Sequence, residues 1–188
     1  MNENHLALCS SEEWADAVQR WIIPWVLEGI DLGDEVLEVG PGPGRTTDVL
    51  RKRVANLTAV ELDPMLAADL TARLDGLNVN VLCADATDTG LPDEKFTGAA
   101  CCTMLHHVPS IEQQNALLAE VHRVLRPGGV LAGTDSLDGP DFRELHTGDI
   151  CVPIDPAGLA VRLACVGYTD VQVDTNDYAV RFRAWKRR

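Results

Sequence analysis

Five short apolar runs, separated by stretches of helical spacing or of turn residues, limit what this chain can fold into more than any other feature. They are Val36–Val39, Leu57–Leu62, Asn78–Cys83, Gly98–Thr103 and Val130–Thr134. Each is short and near-continuously apolar, as strands buried on both faces of a parallel sheet are. Between them, Thr46–Val54 reads as a short helix. Asp63-Pro64 opens another, with Met65, Leu66, Leu70 and Leu74 as its apolar stripe. Ser110 with Gln113 forms a capping box ahead of Leu117, Leu118, Val121, Val124 and Leu125, and Pro127-Gly128-Gly129 ends that helix. Ser10 with Glu13 caps a first helix through Trp14, Val18 and Trp21, which Pro24 kinks or interrupts, and Asp155-Pro156 starts a last one ending at Gly167. Val171–Asp174 and Ala179–Trp185 alternate like a closing antiparallel pair. Repeated strand–helix alternation predicts an α/β, doubly wound, Rossmann-like sheet. No repeat or linker divides the 188 residues, so a single domain is expected.

In such sheets ligands lie beyond the carboxyl ends of the strands, near the switch in strand order. The first run leads into VLEVGPGPGRTTDVL (Val36–Leu50), a strand, a turn with Gly40, Gly42 and Gly44, and a helix start. Glycine there permits positive φ and close backbone approach, at an entropic cost that an ordinary loop avoids. The spacing is GxGxG: Arg45 stands where a dinucleotide fingerprint has its third glycine, and Pro41 and Pro43 remove two N–H donors that a pyrophosphate would use.

Three carboxylates surround the same place. Glu38 lies inside the end of the first strand, Glu61 closes the second, and Asp85 follows the third in CADAT. A carboxylate at Glu61 suits the two hydroxyls of a ribose, and one at Asp85 suits an exocyclic amine of adenine. Three negative groups around one pocket favour a sulfonium or ammonium compound over a dinucleotide. Glu61 and Asp85 also read as helix or turn caps, and Glu38 as a satisfied loop carboxylate.

VLEVGPGPGRTT, TAVELDP, CADATDTGLPDEKF, MLHHV and LLAEVHRVLRPGGVL, in this order from Val36 to Thr134, resemble the successive motifs of the class I S-adenosylmethionine-dependent methyltransferases. The likeness is to the branch of small-molecule and quinone-biosynthesis enzymes. It implies a seven-stranded, mostly parallel sheet with an antiparallel last strand. It implies S-adenosyl-L-methionine as cofactor, with S-adenosyl-L-homocysteine as product. By the same resemblance Glu38, Gly40, Gly42 and Gly44 line the methionine part, Glu61 holds the ribose and Leu62 lies against the adenine. Asp85 binds the adenine amine, Ala86 supplies a backbone N–H, and Thr103 and Met104 end the fourth strand beside the sulfonium. Residues 34–136 form the cofactor-binding core, 1–33 an N-terminal helical cap, 137–155 a candidate substrate loop, and 156–188 a C-terminal helix with the closing strands.

Methyl transfer to a nucleophile is an in-line displacement, so the protein chiefly supplies alignment and a dry pocket. A base is needed only when the nucleophile is protonated. His106 and His107 are the catalytic candidates, as a base or as packing beside the cofactor; adjacent side chains rarely face one way, so at most one of them is expected to reach substrate. The long aperiodic segment Leu137–Ile154 is a candidate substrate wall with His146, Asp149 and Cys151. The first helix, with Trp14, either covers the pocket or simply docks on the sheet.

Absences narrow the substrate. No Asp/Asn-Pro-Pro-Tyr/Phe or Pro-Cys motif ends the fourth strand, which disfavours DNA bases, and no carboxylate pair stands there for magnesium. The formal charge of −13 disfavours a nucleic-acid face. RFRAWKRR (Arg181–Arg188) is the basic exception, read as a solvated chain end or an anion-binding tail. The six cysteines show no CxxC spacing, so no metal is expected and the thiols read as free in a reducing, cytoplasmic setting. Neither a signal peptide nor an eighteen-residue apolar run is visible. The expectation is metal-independent methyl transfer to a small-molecule acceptor, with the accepting atom open. A non-catalytic cofactor-binding or partner-supporting protein is the alternative, and a nicotinamide-dependent oxidoreductase a weaker one.

Overall fold

The computed structural model describes residues 1–188. Its elements in chain order are α1 (Glu3–Ser10), α2 (Glu12–Ala17), a π-helical turn (Val18–Ile22), α3 (Ile23–Val26), β1 (Glu35–Val39) and α4 (Arg45–Leu50). They continue with β2 (Asn56–Glu61), α5 (Pro64–Arg73), β3 (Val79–Cys83), β4 (Phe96–Cys102), a 3-10 turn (Leu105–His107), α6 (Ile111–Val124) and β5 (Leu125–Ser136). The chain ends with α7 (Pro140–Leu145), α8 (Pro156–Val166), β6 (Tyr168–Thr175) and β7 (Ala179–Lys186).

The seven strands form one sheet in the order β3-β2-β1-β4-β5-β7-β6. β1 to β5 pair in parallel, and β7 inserts antiparallel to both of its neighbours, β5 and β6. The order reverses between β1 and β4, which places the switch point beside the glycine loop.

Two cores on opposite faces explain why the strands carry apolar residues at consecutive positions. Leu37, Val39, Ala99, Cys101 and Leu131 face one core with α6 and α8 residues such as Leu117, Leu118, Leu159 and Leu163. Val36, Ala100, Cys102, Val130 and Ala132 face the other with Val18, Ile23, Val26 and Leu50. Adjacent strand residues point to opposite faces, so a sheet covered on both sides needs both kinds of position filled.

Several local expectations are corrected. The cap of α2 is Ser11, whose hydroxyl accepts from Trp14 N, while Ser10 ends α1 and bonds back to Leu6 O. Met65 is solvent-exposed, and α5 buries Ala67 and Leu70 instead. The Pro64 ring at the first turn and the Asp63 cap set that rotation, with Asp63 Oδ1 accepting from Met65 N and Leu66 N. β5 starts at Leu125, directly after α6; Phe96 pairs with Leu125 and Gly98 with Val130, so Arg126–Gly129 bulge from the strand rather than precede it. The basic segment is no loose tail. Arg181 and Arg183 lie in β7, nearly buried, donating to Trp25 O and Val26 O, and Arg181 also pairs with Asp174 and Glu28. They seal carbonyls at the end of the α3 region, which a polar side chain can reach and an apolar one would leave unpaired. No helix is long and apolar enough to cross a membrane.

Candidate active site

β1, β2, β3, β4 and β5 deliver their C-terminal ends to one edge of the sheet, and every strand-end group singled out in the sequence lies along it. At β1 the loop turns through Gly40 (φ +64°), Gly42 (φ +54°) and Gly44 (φ +87°). A side chain at Gly40 would collide with Met104 at 2.8 Å, and one at Gly44 with Leu70 and Arg73. Gly42 instead faces space, its nearest neighbour being Met1 Cε at 3.8 Å. Two glycines thus close the loop against α5 and the end of β4, and the middle one leaves an approach to the backbone.

Glu38 is buried, and neither of its carboxylate oxygens has a hydrogen-bond partner. Burial pushes its pKa up to about 8, with Asp48 and Glu61 adding to the rise and Thr47 opposing it. Leaving such a group unpaired is costly, so it holds a proton or awaits a cation. The alternative reading of Glu38 as a satisfied loop carboxylate does not fit this lack of partners. Glu61 is buried too, but its Oε2 accepts from Gly42 N and its Oε1 from Asp63 N, both at 2.9 Å. It ties the glycine loop to the cap of α5. Each oxygen still has a free lone-pair direction. Leu62 beside it is 68% exposed, an unpartnered apolar face at the strand end. Asp85 is exposed; its Oδ1 accepts from the backbone and hydroxyl of Thr87 at 2.8 Å, and Oδ2 has no protein partner. Ala86 packs against the larger core.

At the end of β4, Thr103 adopts φ +52°, which costs a β-branched residue strain. Its N–H donates to Thr134 O at 2.8 Å and its hydroxyl to Cys102 O at 2.8 Å. That kink turns the chain so that Met104 lies under Gly40 and the next residues form the 3-10 turn.

That turn carries both His106 and His107 into one cluster, with ring centroids 4.1 Å apart. The expectation that neighbouring histidines diverge fails because a single tight turn, followed by burial of both, replaces the alternation of a strand. His106 is fully enclosed: Nδ1 lies 2.5 Å from Asp135 Oδ1 and Nε2 lies 3.0 Å from His146 Nε2, while its N–H donates to Asp135 Oδ2. Burial is the main cause that lowers His107 to about 3 and His5 to about 4, so both imidazoles are neutral at physiological pH. His5, from α1, stands with its ring centroid 4.4 Å from that of His146.

Of the substrate-wall candidates, the structure brings His146 and Asp149 to this cluster. Asp149 Oδ2 accepts from Asn2 N at 2.9 Å, and the Met1 α-amino group is 3.3 Å from its Oδ1. Burial raises the Asp149 pKa, but those contacts outweigh it and hold the group below the usual carboxylate range. Cys151 is a free, half-buried thiol raised by burial, and is outside the cluster. Trp14 packs on the smaller core, the docking alternative. The expected loop holds one helix, α7, which its proline at the first turn starts and which ends at His146. His5 and Asp135 were missed by the sequence reading. His5 sits 101 positions before His106, and Asp135 directly follows the fifth apolar run, so neither carries a local signal.

A family model described as "Methyltransferase domain" matches residues 37–133. The ubiquinone biosynthesis O-methyltransferase of Pseudomonas fluorescens (strain Pf0-1) is 30% identical over 112 residues, 57% of this chain and 47% of that protein. A probable ribosomal RNA small subunit methyltransferase A of Methanothermobacter thermautotrophicus is 41% identical over 70 residues, 36% of this chain and 26% of that protein. The chain thus spans about half, or less, of the length of these relatives. Among solved structures, a SAM-dependent methyltransferase from Aquifex aeolicus superposes with a TM-score of 0.78 at 20% identity, covering 98% of each chain, a likeness of fold.

Proposed function

The chain belongs to the methyltransferase domain family, and on that premise we propose that it transfers a methyl group from S-adenosylmethionine to a small organic acceptor. The observation that carries this reading is Glu38, a buried carboxylate with no partner beside a glycine loop open at Gly42. An ammonium group placed there would pair with the carboxylate and bring its pKa down again. A pyrophosphate would instead meet Glu38, Glu61 and the prolines at positions 41 and 43, so a nicotinamide dinucleotide fits badly.

When bound, S-adenosylmethionine supplies a methyl group on a positively charged sulfur, which a nucleophile displaces in line. The chain's own residues bind and align. Glu38 takes the amino group of the methionine part, and Glu61 offers its remaining lone pairs to the ribose hydroxyls. Leu62 gives the adenine an apolar face, and Asp85 Oδ2 with the Ala86 N–H reads its edge. Thr103 and Met104 form the floor at the end of β4, and the strained kink at Thr103 fixes where that floor lies. Because the donor is already electrophilic, excluding water and fixing the approach direction are the protein's main contributions.

His106 has both ring nitrogens engaged, and His107 is too weak a base at about 3 to take a proton at neutral pH. We therefore assign the two histidines to the wall of the site. The acceptor is then one that is already nucleophilic or brings its own ionised group. A small acceptor is favoured over RNA by the charge of −13, which repels a polyanion.

The test is calorimetric titration with S-adenosylmethionine, S-adenosylhomocysteine and NADH, beside Glu61→Ala. The reading expects binding of the two adenosyl ligands, weakened in the variant. Binding of NADH, or of none of the three, would overturn it.

A further inference from the structure

The histidine cluster has a feature that lining a pocket does not require. His5, His106, His107 and His146 each offer one nitrogen, and these four nitrogens all lie within 4.8 Å of one another. They come from three separate places: α1, the 3-10 turn after β4, and the end of α7.

The outer hydrogen bonds set which nitrogen faces inward. His146 Nδ1 is 2.6 Å from Phe142 O and His107 Nδ1 is 3.3 Å from Ile150 O. A carbonyl only accepts, so both rings carry their proton on Nδ1 and keep a lone pair on Nε2. His106 Nδ1 faces the buried Asp135 carboxylate at 2.5 Å, which fixes the same tautomer. Its Nε2 then meets His146 Nε2 at 3.0 Å, so the two rings turn nitrogens towards the same point. His107 Nε2 and His5 Nδ1 are buried without a hydrogen-bond partner, and Asp149 Oδ2 stands 4.0 Å from His5 Nδ1. Two nitrogens in close contact and two more without a hydrogen bond converge on one place, where a single cation would engage all four.

We propose that these four imidazoles bind a divalent transition-metal ion of the zinc class, stapling α1 and the end of α7 to the end of β4. The donor set decides the class: imidazole nitrogen suits zinc, nickel, copper and cobalt, whereas calcium and magnesium require oxygen. Rings that donate their outer N–H to a carboxylate or a carbonyl are the usual support of metal-bound histidine. Four nitrogens at about 2.0–2.1 Å from zinc in a tetrahedron stand about 3.3 Å apart. The widest pair, at 4.8 Å, therefore closes by about 1.5 Å through small shifts of the rings, of which only His107 is partly exposed. The cluster lies at the same edge of the sheet as the glycine loop, since Met104, against Gly40, is two residues from His106. This site stands independently of the methyl-transfer reading.

The experiment uses the untagged chain, stripped with a chelator and titrated with cobalt(II), then with zinc against a chromophoric competitor, with no adenosyl ligand present. We expect one ion per chain, the intense visible bands of tetrahedral cobalt, and displacement by zinc. His107→Gln and His5→Ala should each weaken binding at least tenfold, and Asp135→Asn by about 10–100-fold through its ring partner. Circular dichroism checks that each variant folds. Should one fail to fold, the wild-type cobalt spectrum decides alone. No stoichiometric binding, the weak bands of octahedral cobalt, or affinity unchanged in the folded histidine variants would overturn the proposal.

Discussion

The two sides of the candidate site are built on opposite principles. The donor side is made of consecutive residues: Glu38 to Gly44 turn a strand into a helix, and Glu61 closes on them by donation from Gly42 N. The histidine side is assembled from positions 5, 106, 107, 135 and 146, which meet only after the sheet, α1 and α7 are in place. One side depends on backbone shape, and the other on tertiary packing. Damage to the first should therefore impair ligand binding with the fold intact, whereas damage to the second should impair stability first.

The sharpest way to break this contrast is Glu38→Gln. The substitution keeps the shape of the side chain and removes the charge that a bound ammonium would meet. A buried charge pair that loses one partner costs about 2–5 kcal/mol, so affinity for S-adenosylmethionine should fall at least about thirtyfold. Because Glu38 is protonated at neutral pH in the empty site and must ionise to bind the cation, wild-type binding should release close to one proton at pH 7. Titrations in buffers of different ionisation enthalpy would read that proton, and the variant should release none. Equal affinity in the variant would remove Glu38 from the donor side.

The same residue predicts a pH dependence of the empty protein. Its folded pKa, about 8, lies above the ordinary 4.5, so the folded state binds the proton more tightly than the unfolded chain does. The stabilising contribution is whole below about pH 4.5, declines as the pH rises, and is lost above about pH 8. Between those limits the slope approaches about 1.4 kcal/mol per pH unit for one group. Urea denaturation from pH 5 to pH 9 should show this decline in the difference between wild type and Glu38→Gln, a difference that cancels the other titrating groups. A flat difference would mean that solvent reaches the carboxylate.

Asp135→Asn tests the other side. It replaces a fully buried anion that meets His106 through both the ring and the backbone N–H. The loss should be about 1.5–3 kcal/mol of stability, the range for hydrogen bonds to a charged group. Affinity for S-adenosylmethionine should change less than threefold. A large loss of affinity at unchanged stability would reverse the contrast between the two sides.

The same contrast explains what the sequence made legible. The strands, the order of elements and the glycine loop were readable because each depends on residues a few positions apart: apolar run, turn residue, cap. Glu38, Glu61 and Asp85 were placed along the right edge because strand ends converge in a doubly wound sheet. Even locally, the α2 cap slipped by one residue, since Ser10 and Ser11 both precede acidic residues and packing of α1 decides between them. Met65 reads as core from spacing alone, which does not set the rotation of a helix that has a proline at its start. The meeting of four histidines lay beyond reach for a stronger reason. No periodicity links positions 5, 106, 107 and 146, and their convergence depends on the depth at which α1 and α7 settle over β4.

Arg45 joins the two sides and carries the smallest effect. It occupies the place where a dinucleotide fold has glycine, at the first position of α4. Its guanidinium reaches away from the loop, to Ser10 O and to Glu12 Oε1 at 2.9 Å, and so ties the glycine turn to the junction of α1 and α2. Glu12 is largely exposed, so the charge pair itself is worth only about 0.2–1 kcal/mol. Arg45→Ala should accordingly lower stability by less than about 1 kcal/mol and leave the glycine turn unchanged, since the bend depends on positive φ at Gly40, Gly42 and Gly44. Its effect should appear instead as faster amide hydrogen exchange in α1. His5 would then be held less firmly, and the affinity for cobalt should weaken slightly while that for S-adenosylmethionine stays the same. If both affinities fell together, Arg45 would be coupling the two sides, and they would have to be treated as one cooperative unit.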